Sequence, residues 1–142
     1  MNNSQFTMAE RVARAVRDFQ HLRTGHAPES VTVVLSAGTL VVTLRGALTP
    51  AEKALFRTPE GTARLREFHC ELFQSSLAPL QQEIERITGI AVREAATEVE
   101  PSTGAVVQVF TTGTMVQVFQ LDSSLSAEAW NGIEGEPSGD TV

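Results

Sequence analysis

The sequence predicts an α+β domain in which two long helices and a short one pack on one face of a mostly antiparallel sheet of about five strands. Three observations carry that prediction. Apolar residues recur at helical spacing in two separated segments, one opening near residue 8 and the other near residue 59. They alternate at the two-residue spacing of a strand around Gly38 and again around Gly113. Helical and strand patterns are not interleaved as βαβ units, so the order is helix, hairpin, helices, strand, hairpin.

Thr7 and Glu10 form a capping box, and behind them Met8, Val12, Ala15, Val16, Phe19 and Leu22 follow helical spacing. The helix is expected over about residues 8–23, with Gly25 as a left-handed cap and Pro28 blocking continuation. Its polar side carries Arg11, Arg14 and Arg17. In the next segment Val31, Val33 and Leu35 alternate up to the loop Ser36-Ala37-Gly38-Thr39, and Leu40, Val42 and Leu44 resume the alternation beyond it. One hairpin register satisfies every position: Leu35 faces Leu40, Val33 faces Val42, and Val31 faces Leu44.

Thr49-Pro50-Ala51-Glu52 supplies a cap, a Pro at the first helical position and a Glu at the third, which start a short helix through about Phe56. Thr58-Pro59-Glu60 repeats that start. The long helix then places Leu65, Phe68, Leu72, Leu80, Ile84 and Ile87 on one stripe and ends at Gly89. Pro79 removes the bond to the Ser75 carbonyl, so a kink or break is expected between them.

Ile90 to Val99 reads as a strand and residues 100–104 as a turn. The repeated Val107-Gln108-Val109-Phe110 and Val116-Gln117-Val118-Phe119 read as a second hairpin closed by Thr111 to Thr114, with all four Val on one face. Aligning Gly38 with Gly113 superposes Val34, Thr39 and Val41 on Val109, Thr114 and Val116. Either internal duplication or convergence on one loop type accounts for that.

With 142 residues, 42% hydrophobic and 20% charged, the chain is long and apolar enough for one core and is not of disordered composition. One α+β domain is expected over residues 1–121, followed by an acidic, flexible tail over 122–142. Seventeen acids outweigh eleven bases, and they are unevenly placed. Residues 1–66 hold nine bases and five acids, whereas residues 67–142 hold two bases and twelve acids. The tail takes five of those acids and no base, and Trp130 with Leu125 and Ile133 is its apolar cluster. Packing of Trp130 on the domain and docking of a partner there are both open readings. Nucleic acid is not an expected partner, because the bases lack aromatic and Lys interleaving.

The lone Cys70 excludes an intramolecular disulfide, the first residues lack a signal-peptide pattern, and no apolar run approaches the roughly 20 residues of a membrane span. A cytoplasmic address without direct membrane insertion is therefore expected. Nucleophile-elbow, phosphate-loop and dinucleotide motifs are missing. His69 and Cys70 adjoin, but neighbours on a helix point about 100° apart, so a flanking His and a half-buried thiol explain them. Glu94, Glu98 and Glu100 fit a solvated strand face better than a cation site. No catalytic residue, metal ligand or cofactor is expected. Two binding readings remain. Arg11, Arg14 and Arg17 can meet an anionic protein surface, including the acidic half of a second copy in a homodimer. Arg45, Gly46 and Thr49, where a strand end feeds a helix N-terminus, can hold a small anion on backbone amides.

Laid out in this order, the chain resembles the bacterial MpsC family, the Na+-translocating membrane potential-generating system. The resemblance is carried by the Arg-bearing first helix, Gly25 to Pro28, and the hairpin. Further along it rests on Leu44-Arg45-Gly46-Ala47-Leu48-Thr49-Pro50-Ala51-Glu52 and the helix end Leu80 to Gly89, and it covers roughly residues 8–110. It implies a non-enzymatic accessory domain, peripheral to the inner face of the membrane, beside an ion-transport subunit. The alternative from another class is a regulatory domain binding a small anion or small molecule.

Overall fold

The computed structural model of the protein describes residues 6–93, 105–110 and 112–132. Helix α1 (Met8–Thr24) is followed by strands β1 (Ser30–Ser36) and β2 (Thr39–Arg45), then the short helix α2 (Pro50–Ala54). A 3-10 turn, Leu55–Arg57, leads into the long helix α3 (Pro59–Thr88). Strands β3 (Ala105–Val109) and β4 (Met115–Gln120) come next, and a one-turn helix α4 (Ala127–Asn131) follows. The four strands form one antiparallel sheet in the order β1-β2-β4-β3, so the two hairpins meet along β2 and β4.

The start and stop chemistry behaves as the residues dictate. Thr7 and Glu10 exchange both capping-box bonds, and Gly25 closes α1 at φ 76°. Thr49 and Glu52 repeat the box at α2, while Thr58 caps α3 and Gly89 ends it at φ 76°. The first hairpin has the expected register throughout, from Leu35 opposite Leu40 to Val31 opposite Leu44.

The core lies between the sheet and the α1 and α3 layer. Val12 and Val16 from α1 and Leu65, Phe73, Leu80 and Ile84 from α3 cover Leu40, Val42, Leu44, Val109, Met115 and Phe119. The Phe73 and Phe119 rings sit 5.8 Å apart at the centre. Arg66 adds a cross-layer tie, donating from Nε to the Val109 carbonyl at 3.0 Å. Trp130, in the segment read as a tail, is buried in this same core. Residues 133–142, with Glu134, Glu136 and Asp140, lie outside the described residues.

Four strands of the sheet lie among the described residues, and three expectations change. Val92 makes a single bridge to Leu121, flanked by the Arg93 amide to the Gln120 carbonyl and the Asp122 amide to the Ala91 carbonyl. The rest of the expected strand, with Glu94, Glu98 and Glu100 and the turn after it, lies outside the described residues.

The second hairpin exists, but its register is one residue from that expected. Val109 faces Met115 and Val107 faces Gln117, because the loop holds five residues, closed by bonds between Phe110 and Thr114 and between Gly113 and Phe110. A one-residue slip inverts every side chain of a strand. Met115, Gln117 and Phe119 therefore enter the core, and Val116 and Val118 take the outer face. The repeat alignment fails on the same ground: Val34 is exposed on the outer face, whereas Val109 is buried on the inner one.

Leu22 is 77% exposed and does not belong to the buried stripe of α1. Positions 12, 16 and 20, each four apart, form that stripe, so Gln20 is buried instead and donates from Nε2 to Met115 Sδ at 3.7 Å. Finally, α3 runs unbroken through Pro79. Ser75 and Pro79 are both exposed, so the carbonyl that loses its partner faces water.

Candidate functional site

The same choice of spacing decides where α3 puts its polar groups. The stripe that enters the core is Leu65, His69 and Phe73, four apart, rather than the expected Leu65, Phe68 and Leu72. His69 is only 1% exposed, while Phe68 is 50% exposed and meets the His69 ring edge-on at 5.2 Å. His69 donates from Nε2 to Glu52 Oε2 at 2.9 Å. The other oxygen of Glu52 accepts the Thr49 amide at 2.9 Å, and the Glu52 amide returns a bond to Thr49 Oγ1.

Glu52 thus clamps α2 onto α3 with one carboxylate oxygen for each helix. Burial raises its pKa, but the Thr49 amide, the His69 bond and charge, and the Thr49 hydroxyl together carry it below the ordinary carboxylate value. A carboxylate with both oxygens engaged and an imidazole closed off from water form a structural pin. The sequence alone gives Glu52 a capping-box role and leaves His69 as a flanking residue. The available signal was the four-residue ladder through Leu65 and Phe73.

Beside this pin, a surface groove of about 650 Å³ runs between the 3-10 turn and α3. Leu55, Leu65 and Phe68 line it, with Glu52, Arg64, Glu67 and Glu71 around them. A second, partly open cavity under α1 and α3 has room for about 20 Å³, the space of a single water.

The three expected partner-binding arginines have different surroundings. Arg11 is 8% exposed and shares a crevice with Arg14, Asp18, Glu83 and Arg86. The Arg86 guanidinium holds Glu83 below the usual carboxylate range against partial burial, and the charge of Arg11 adds to it. Arg14 lies over the Phe6 ring at 4.5 Å, and Arg17 is exposed. At the expected anion site, Arg45 donates to Thr32 Oγ1 across the hairpin at 3.2 Å, while the Thr49 amide is already given to Glu52. Gly46, at φ 63°, has the Glu29 side chain packed where a Cβ would stand and gives its carbonyl to His26 Nε2. These three residues do not converge on a free amide cradle.

Among the described residues no cluster of three or more His, Cys, Asp or Glu can hold a metal ion, and no helix is long and apolar enough to cross a membrane. The sequence has its counterpart in a family model. Residues 4–122 match that of MpsC, the Na+-translocating membrane potential-generating system. The chain belongs to the MpsC family. The family's description ties it to a Na+-translocating membrane-potential system. A curated relative, the uncharacterized protein YbcI of Bacillus subtilis (strain 168), is 27% identical over 110 residues, covering 78% of this chain and 89% of its own. No solved structure matches this MpsC member.

Proposed function

We propose that the protein is a peripheral accessory component of a Na+-translocating membrane-potential system, acting as a homodimer on the cytoplasmic side and docking on an ion-transport subunit of the membrane. Membership of MpsC carries this reading, because it links the chain to an ion-translocating system while none of its described helices can span a bilayer. The protein then contributes surfaces instead of a conduction path. The exposed guanidinium groups of Arg14 and Arg17 on α1 suit an anionic loop of the membrane subunit, whereas Arg11 is engaged beside Glu83.

The test is co-purification from detergent-solubilised membranes of the native host. An ion-transport subunit should be retained by the wild-type chain and lost from the Arg14→Glu/Arg17→Glu variant, with release at high salt. Recovery of no such subunit, or equal retention by both chains, would overturn this reading.

A further inference from the structure

We propose that the groove beside the Glu52–His69 pin is a self-association site, filled by α3 of a second copy lying antiparallel across it. This deepens the homodimer reading above and rests on it. Leu55 and Phe68 are 38% and 50% exposed and line the same groove, which places two large apolar side chains together in water. The charges around them choose the occupant. Arg64 and Glu71 are seven residues apart, so they project from α3 in nearly the same direction, two turns apart, with Phe68 between them. Among the described residues neither takes part in an ion pair within the chain.

A second α3 running antiparallel, with the two-fold axis beside Phe68, reverses that order. Arg64 of each copy then meets Glu71 of the other, and Phe68 meets its own symmetry mate over the apolar floor. A parallel copy in the same register would oppose Arg64 to Arg64 and Glu71 to Glu71. The patch is therefore self-complementary in one sense only, which is what an isologous two-fold contact requires. Glu67 stays at the rim, and Glu52 remains engaged by His69 and Thr49. The excess of acid around the groove disfavours an anionic lipid surface as the occupant.

Sedimentation of the full chain over about 1–200 µM tests this, with circular dichroism to establish that each variant is folded. Wild type should be a dimer, and Phe68→Ser, at an exposed position, should leave a folded monomer. Arg64→Glu and Glu71→Arg should each weaken the dimer by about tenfold, since each converts two attractive pairs into repulsive ones. The double variant Arg64→Glu/Glu71→Arg restores opposite charges across the axis and should return to within about threefold of wild type. A wild type that stays monomeric throughout overturns both the groove assignment and the homodimer reading. A dimer indifferent to Phe68→Ser, or a double variant no better than the singles, overturns the groove assignment and leaves the homodimer reading standing.

Discussion

Removing the carboxylate of Glu52 should expose how much of the α2–α3 junction depends on one side chain. In Glu52→Ala the Thr49 amide loses its capping-box acceptor, which costs about 0.5–1 kcal/mol for an α-helix start of this kind. The His69 Nε2 donor, in a side chain buried to all but 1%, loses its partner, which adds about 1–3 kcal/mol. Together these predict a loss of about 1.5–4 kcal/mol in urea unfolding at neutral pH, with an unchanged m value. Burial raises the pKa of the Glu52 carboxyl, but the Thr49 amide and His69 hold it below its ordinary value in the folded protein, so the unfolded chain binds more protons as the pH falls through the carboxylate range. The advantage of wild type is thus fully present above about pH 4.5 and declines as pH falls through the lowered folded value. Glu52→Gln, which keeps an acceptor but not the charge, should lie between the two and lose most of the pH dependence. A difference under about 0.5 kcal/mol for Glu52→Ala, or one that stays constant down to pH 3, would refute the pin.

Gly61→Ala should destabilise by about 3 kcal/mol or more, since its Cβ would stand 2.2 Å from the Leu55 backbone carbonyl; thermal unfolding would show the loss. Ala37 is held at φ 51° in the first hairpin turn, so Ala37→Asn, a residue that tolerates that region, should stabilise by about 1 kcal/mol in urea titration. Leu22→Gln should change stability by less than about 0.5 kcal/mol, because the side chain is exposed; a loss above 2 kcal/mol would return Leu22 to the core stripe. Phe119→Ala should cost about 3–5 kcal/mol, because it empties the centre of the core against Phe73.

The parts legible in the sequence are those set by neighbours along the chain. Capping residues act within three positions, and a tight turn fixes the register of the strands beside it, so α1, the first hairpin, α2 and both ends of α3 could be read directly. Register failed where the loop was longer. A loop of four residues (111–114) or of five (110–114) is equally compatible with the alternation, and only packing of Met115 and Phe119 against the helices selects five. The face of α3 was ambiguous for a related reason. Phe68 and His69 adjoin, and hydropathy favours burying the Phe, yet the four-residue ladder and the waiting carboxylate of Glu52 bury the His.

By itself the sequence determined the element order, the start and stop chemistry, the uneven charge and the resemblance to MpsC, since each depends on residue identity and short spacing. Tertiary structure decided what those residues face. It turned Glu52 from a cap into a clamp on His69, and it left Phe68 outside between Arg64 and Glu71. It also placed Arg11 beside Glu83 instead of in water. These outcomes depend on which faces of distant elements meet, and that is set by the energy of the whole packed core, which no local pattern contains.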